Sequence, residues 1–371
     1  MRRLCHWLLL LATCLTTLML TTQATRAQAP AARPTKGLIL DAARHFYNVP
    51  TLKAYIDMVQ AGGGTFLQLH LTDNQRFGIE SQRLGQTTRT ARYKHGTYYN
   101  RRTGLAFLSK RQLRELVVYG HRRQVEVIPE IDTPGHSRAL INLMKHGRRA
   151  DRQLIRQIAD QPDELDLSNR RTLAFTRSLI KEYTGLLYRG QYLGIGGDEY
   201  STSPAAHQPN VVRYVNGLNR YLNHRRLRAT VWNDQLLSAD LPKLDTNLLV
   251  FYWSYDGQPG NDQVAARRRQ VRASLPQLNQ AGLATINANF SYLYVIANPK
   301  MFQLDNVAFW QRDLATHWTP QVWDNWDHTT LATSPLNRGS ALSIWGDPQH
   351  HYSQAALLKA TRPFLTTYFA Q

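Results

Sequence analysis

Tyr192-Leu193-Gly194-Ile195 is an apolar run of strand length, and Gly196-Gly197-Asp198-Glu199 follows it without a break. Seven further short β-type runs lie around it: 37–40, 65–69, 125–128, 229–232, 248–252, 284–287 and 341–345. Helical patterns separate most of them. Asn48 and Pro50 open a helix carrying Leu52, Tyr55, Ile56 and Val59 at 3–4 spacing, and Gly62 to Gly64 end it. Ser109 with Gln112 forms a capping box ahead of Leu113, Leu116 and Val117. Further helices are predicted over 169–188, 211–224, 263–280 and 354–368. Eight strands buried on both faces and alternating with helices predict an α/β fold, a (β/α)8 TIM barrel forming one catalytic domain over 37–371. The alternative, a doubly wound open sheet, lacks a G-x-G-x-x-G after its first strand.

Composition agrees with one folded unit behind an export segment. Hydrophobic residues make up 43% of the 371, enough to bury a core and to exclude disorder over most of the length. Arg2 and Arg3 precede the apolar run Leu8 to Leu20, and small residues follow at Ala24, Ala27 and Ala29, so 1–29 reads as a secretory signal and 30–36 as a disordered lead-in. The expected location is outside the cell, with no transmembrane segment in the mature chain. Cys14 departs from a lipidation box, because Thr13 precedes it and the apolar run continues beyond it. Cys5 and Cys14 both lie in the segment to be removed, which excludes disulfides, thiolate metal sites and a cysteine nucleophile from the mature chain.

Forty-five Lys and Arg against 26 Asp and Glu leave a net charge of +19. The excess is mostly arginine in pairs along the chain (Arg122-Arg123, Arg148-Arg149, Arg225-Arg226), not a tail. It predicts electrostatic association with an anionic cell envelope. No nucleic acid is expected as a partner, and no phosphate-loop or zinc spacing occurs.

A barrel of this kind builds its site from residues just beyond the C-terminal ends of its strands. Those positions hold Asp41 and Arg44, His70 and Asp73, Glu130, Asp132 and His136, Asp198 and Glu199, Trp232 and Asp234, Trp253, Tyr292, and Trp345 with Asp347. One acid after a strand is commonly a helix cap. Acids and tryptophans at so many of eight ends point instead to carbohydrate chemistry, with carboxyls to protonate a glycosidic oxygen and aromatic faces to stack on sugar C–H surfaces. Glycosidases with two independent carboxyls hold them about 5–9.5 Å apart across the bond, usually from different strands. Adjacent Asp198 and Glu199 suit a substrate-assisted variant, in which one acid protonates the leaving oxygen and its neighbour serves a 2-acetamido nucleophile.

The stretches GLILDAARHFY from Gly37, HLTDNQRFGIES from His70, VIPEIDTPGH from Val127, IGGDEY from Ile195, WNDQL from Trp232, SYLY from Ser291 and ALSIWGD from Ala341 resemble glycoside hydrolase family 20, the β-N-acetylhexosaminidases. The likeness is strongest to its single-domain, biofilm-degrading members, and runs in order from Gly37 to the end. It implies Glu199 as acid/base and Asp198 holding the acetamido nitrogen. It further implies Tyr292 donating to the acetamido oxygen, Arg44 and Asp347 gripping sugar hydroxyls, and Trp232, Trp253 and Trp345 as apolar walls. Asp73 and His136 become the pair that hydrogen-bonds toward the acid. No cofactor and no metal are implied. Two departures stand out: Asp347 replaces the family's usual Glu, and Tyr200-Ser201-Thr202 is less aromatic than the corresponding loop.

The implied function is a secreted retaining hydrolase of β-linked N-acetylglucosamine, foremost the β-1,6 polymer of biofilm matrix. Alternatives are chitin-type or host glycans as substrate, and a non-catalytic glycan- or polyanion-binding surface protein. Partly deacetylated polymer is cationic, which sits uneasily with a basic protein.

Overall fold

The structure is a computed structural model and describes residues 35–200, 204–257 and 261–371. Eight parallel strands close on themselves: β1 (Thr35–Asp41), β2 (Phe66–His70), β3 (Glu126–Thr133), β4 (Tyr192–Gly196), β5 (Arg228–Trp232), β6 (Leu249–Tyr252), β7 (Ala284–Asn287) and β8 (Asn337–Gly346). Leu38 pairs with Leu67 of β2 on one side and with Leu342 of β8 on the other, which seals the barrel and leaves no free edge. The predicted (β/α)8 barrel is the observed one.

Alternation along the strands divides the core into two. Leu38 and Leu40 of β1 face outward into the layer between barrel and helices. Ile39, between them, faces the barrel interior with Phe66, Ile128, Trp232, Phe251 and Ile286. In the outer layer, α1 (Val49–Ala61) buries Leu52, Tyr55, Ile56 and Val59. Its start is fixed by Asn48, whose side chain accepts from the Thr51 amide at 3.0 Å, a cap typically worth about 1 kcal/mol. The next helix, α2 (Lys110–His121), opens on the Ser109–Gln112 capping box read from the sequence. Truncating a fully buried side chain of this layer, such as Ile56→Ala, would cost about 2–5 kcal/mol.

Several expectations change. Thr35 and Lys36, read as the end of the lead-in, already pair with Gly339 and Ser340 as part of β1. The predicted signal, with Cys5 and Cys14, lies outside the described residues. The polar, Tyr- and Arg-rich stretch 84–103, which carries no strand pattern in the sequence, contains strands 92–94 and 97–99, which join 106–107 in a small antiparallel sheet. Helices α3 (Arg138–Lys145) and α4 (Arg149–Ile158) follow β3 and were not read. They lead to α5 (Arg170–Thr184) and α6 (Pro204–Asn223).

The helix predicted over 263–280 is two, α7 (Asp262–Val271) and α8 (Leu275–Gln280). Ser274 and Gln277 form a capping box and Pro276 sits in the first turn of α8, so the chain restarts there. The break turns Arg272 inward, where its side chain is buried. After β7 come the single turn α9 (Phe290–Leu293) and a strand Tyr294–Ala297, which pairs with the end of β8. Helix α10 (Leu304–His317) and then, after β8, α11 (Gln354–Ala370) complete the outer layer. No helix among the described residues is long and apolar enough to cross a membrane.

Candidate active site

The C-terminal mouth of the barrel holds a cavity of about 210 Å³ lined by Arg44, Asp198, Glu199, Trp253, Tyr294 and Trp345. Pockets for drug-sized ligands run to about 300–1,000 Å³, so this one suits a single sugar ring. Asp198 and Glu199 arrive on the turn that leaves β4. Gly196 there has φ +79, and a Cβ at that position would fall on the Asp132 carboxylate, so only glycine lets the turn pass beneath the two acids.

The two acids have opposite surroundings. Asp198 is buried, and burial together with the Asp234 carboxylate pushes its pKa well above the ordinary 3.8. Asp234 is itself raised by burial, against the field of Arg272 and a hydrogen bond donated by Trp253 Nε1 at 2.6 Å. Glu199 is half exposed, with His136 Nε2 at 3.6 Å from its Oε2. That contact holds Glu199 below the ordinary 4.5. On the imidazole, burial opposes charge, but the bond to Asp132 (Nδ1 to Oδ2, 2.7 Å) and the nearby Glu199 carboxylate prevail and raise the pKa well above 6.5. In the free protein the proton of this pair therefore rests on His136, one short transfer from the Glu199 carboxylate.

The expected partner of His136 is corrected. Asp132, not Asp73, holds its ring, while Asp73 accepts from His70 Nε2 at 3.1 Å and pairs with Arg44 at 2.8 Å. Burial works against the charge of Asp73, but those two neighbours bring it down to about 2. Arg44 also pairs with Asp41 at 2.9 Å and lies 5.5 Å from the centre of the Trp345 ring, so its fork is fixed before any sugar arrives. On the other side, His70 Nδ1 donates to Glu130 at 3.3 Å, and Glu130 also accepts from Trp232 Nε1 at 2.9 Å and Gln68 at 2.6 Å. One buried chain of charge-assisted bonds thus locks both the arginine and the Trp232 side chain. Ligand atoms of His70, Glu130 and Asp132 lie within 4.8 Å of one another, yet each is engaged in the protein bonds just described.

Trp253 and Trp345 line the cavity and are almost fully buried, whereas Trp232, expected as a third wall, is not among the lining residues and is buried with its ring centre 6.0 Å from that of Trp345. The tyrosine assignment is corrected. Tyr292 stands outside the cavity, its ring 5.5 Å from Trp318. Tyr294 occupies the place instead, stacked on Trp253 at 6.0 Å with an interplanar angle of 14°. Burial, then Asp198, Asp234 and Glu199, raise its pKa well above 10, so its hydroxyl stays a donor. Asp347 is not among the cavity's lining residues. Its carboxylate accepts from the Gln349 amide at 2.8 Å and from His350 Nδ1 at 3.0 Å, within its own loop. Asp132, Glu130, Asp234 and Arg272 were not singled out as site residues, although the first three stand at strand ends where acids were noted.

Residues 34–354 match the glycosyl hydrolase family 20 catalytic domain. The crystal structure of Dispersin B is similar at 32% identity and a TM-score of 0.83, with 91% of this chain and 98% of that one covered. The Akkermansia muciniphila beta-hexosaminidase is 27% identical over 276 residues, covering 71% of this chain and 53% of the relative. A probable beta-hexosaminidase of Arthroderma benhamiae is 24% identical over 292 residues, covering 73% of this chain and 43% of the relative. The chain thus spans about half the length of the curated relatives it matches. A barrel closed by eight parallel strands, a rim of acids and tryptophans, and a match over most of the sequence lead to one statement: this chain belongs to glycosyl hydrolase family 20.

Proposed function

We propose that this protein hydrolyses β-linked N-acetylglucosamine with retention, using the substrate's 2-acetamido group as the nucleophile. The observation that carries the reading is the convergence of Asp198, Glu199 and Tyr294 on one single-sugar cavity. In the first step Glu199, having taken the proton held with His136, gives it to the glycosidic oxygen. The acetamido carbonyl oxygen then bonds to C1 as the C1–O bond to the leaving sugar breaks. Tyr294 donates to that carbonyl oxygen and Asp198 accepts from the amide N–H as positive charge develops on the cyclic oxazolinium. Water next attacks C1 while Glu199 takes its proton, which reopens the ring and restores the acetamido group. Entry of the sugar displaces water from around Glu199 and His136, which favours their neutral forms and so moves the proton onto the carboxyl.

The polymer favoured is β-1,6-linked N-acetylglucosamine of biofilm matrix, met outside the cell. Similarity to Dispersin B over 91% of this chain and 98% of that one, at 32% identity, supports this reading. The acidic mouth supports it too, because it attracts the cationic units of partly deacetylated polymer. The second reading, a hexosaminidase of chitin-type or host glycans, is supported by the names of the curated relatives. Side-by-side turnover of β-1,6 and β-1,4 oligomers separates the two. Glu199→Gln should lose activity on both, and undiminished turnover by that variant would overturn the acid assignment. Detection of the chain in culture medium, against the cell interior, checks export.

A further inference from the structure

The two ends of the barrel carry opposite charge. Acids crowd the C-terminal mouth, whereas the opposite end, where helices turn back into strands, is basic. Its connections 62–65, 122–125, 185–191, 224–227, 244–248 and 281–283 contain one acid, Asp245, and the longer connection 318–336 ahead of β8 has two, Asp324 paired with Arg269 and Asp327 accepting from Thr329 and Thr330. The Asp245 carboxylate is already taken by Arg220, at 2.8 and 3.1 Å. Glu126, at the start of β3, is turned inward and accepts from the Tyr192 amide at 2.5 Å.

At the centre of this end lies a depression of about 520 Å³, more than twice the volume of the candidate active site. Arg226, Arg228 and Arg338 line it, together with Tyr192, Asn223 and Asn247. The guanidinium groups of Arg226 and Arg338 are exposed, and neither has a carboxylate or hydrogen-bond partner among the described residues. Arg228 donates to the Tyr192 hydroxyl at 3.5 Å, covers that ring, and also feels the charge of the inward-turned Glu126.

Arginines after a helix often do no more than offset the negative end of its dipole, and that accounts for Arg225 and Arg226 at the end of α6. It does not account for Arg228 and Arg338, which sit at the starts of β5 and β8. Three forks around one concavity, two of them without an acid among the described residues and the third, Arg228, near only the inward-turned Glu126, form an oxyanion site. Phosphate suits it better than carboxylate, because its additional oxygens can be shared between forks. Tyr192, the aromatic side chain in the lining, is capped by Arg228 and offers no face for a nucleobase to stack on.

We propose that this depression binds a flexible phosphate-bearing polyanion. Held by that end, the barrel turns its mouth away from the anionic surface. The face that meets cationic polymer and the face that meets polyanion are then separate, and the conflict between a basic protein and a cationic substrate disappears. The binding rests on this face alone; only the advantage of the orientation rests on the hydrolase reading.

The test uses the full chain and long-chain inorganic polyphosphate as probe, with affinity measured between low and moderate salt. Arg226→Gln/Arg228→Gln/Arg338→Gln should weaken binding at least about tenfold at low salt and reduce the slope of log K against log salt by about 2, at roughly 0.7 for each phosphate that is no longer neutralised. A control that removes the same charge elsewhere, Arg149→Gln/Arg156→Gln/Arg170→Gln, should stay within about twofold of the parent at moderate salt, where charges beyond a Debye length of about 8–10 Å are screened. Should Arg228→Gln unsettle Tyr192, the pair Arg226→Gln/Arg338→Gln carries the same comparison on exposed side chains. Equal loss in both sets overturns the site, as does tighter binding of duplex DNA or polyglutamate than of polyphosphate. Glu199→Gln should bind polyphosphate like the parent, which keeps this result separate from any failure of the hydrolase reading.

Discussion

Arg272 aims its buried guanidinium at Asp234, with Nη1 at 3.7 Å from Oδ1 and no hydrogen-bond partner at that nitrogen among the described residues. Asp234 in turn lies against Asp198, so the arginine acts on the acetamido-facing acid through an intermediate carboxylate. Burial holds both acids above their ordinary range, the Asp234 charge adds to the rise of Asp198, and Arg272 offsets part of the rise of Asp234. Asp198 must be ionised to stabilise an oxazolinium, which makes the arginine a positioning residue for the reaction.

Removing it as Arg272→Met should therefore shift the ascending limb of the pH–kcat profile to higher pH. Acids with raised folded pKa values destabilise the fold as pH rises through those values. The variant's stability deficit should accordingly be largest near neutral pH, about 3–5 kcal/mol for a buried charge left unpaired, and should shrink on acidification. Adding Asp234→Asn removes the charge that Arg272 compensates and should recover both. A limb unmoved in Arg272→Met, or a double variant no better than the single, would leave the arginine with a packing role alone.

Tyr294 and Tyr292 differ by two residues and make a clean comparison. Tyr294→Phe removes a preorganised donor to developing charge, a loss of the kind worth about 10²–10³ in kcat, with the Trp253 stacking retained. Tyr292→Phe should leave kcat within about twofold, because that ring packs on Trp318 away from the cavity. Steady-state kinetics on a chromogenic N-acetylglucosaminide decide it, and the reverse pattern would restore the sequence-based assignment.

That comparison also marks where the sequence stops being legible. Barrel strands, the adjacent acids and the three tryptophans could be read because each abuts a short apolar run, and strand ends are where such a fold places chemistry. The two tyrosines of SYLY cannot be separated this way. One lies in the single turn α9 and the other opens a short strand, and only the pairing of Tyr294 with Ser343 fixes which faces the mouth. Arg272 was hidden by an apolar periodicity that runs smoothly through the break between α7 and α8. The partner of His136 depended on a register irregularity between β3 and β4 at Glu130 to Thr133, which no local pattern announces.

Asp347 offers a test of hydroxyl recognition. In the free protein its carboxylate caps its own loop, so Asp347→Ala should change kcat/KM by no more than about threefold. Asp347→Glu adds the methylene that the family's usual residue has. If the longer acid reaches a sugar hydroxyl, KM should fall by up to about tenfold, the worth of one hydrogen bond of about 1–1.5 kcal/mol, with kcat little changed. A large loss in the alanine variant would show instead that Asp347 swings onto the substrate when it binds.

The proton shared by His136 and Glu199 fixes the alkaline side of the activity profile. In the free protein it resides on His136, whose pKa lies well above 6.5 through its bond to Asp132 and the nearby Glu199 carboxylate, and Glu199 alone lies below 4.5. The pair keeps its proton until pH rises past the histidine value, so the descending limb of kcat/KM should lie well above pH 6.5 and belongs to the pair, not to either residue. In His136→Gln the carboxyl loses its cationic neighbour and must hold the proton by itself. Its pKa then relaxes upward toward the ordinary carboxyl range of about 4.3, while the descending limb moves down in pH from the histidine value to that range. The variant should therefore retain activity in acid and lose it near neutrality, where the parent is still active. Asp132→Asn should produce a smaller shift in the same direction, since it weakens the imidazolium without removing it. A descending limb that stays in place in His136→Gln would show that Glu199 takes its proton from some other source.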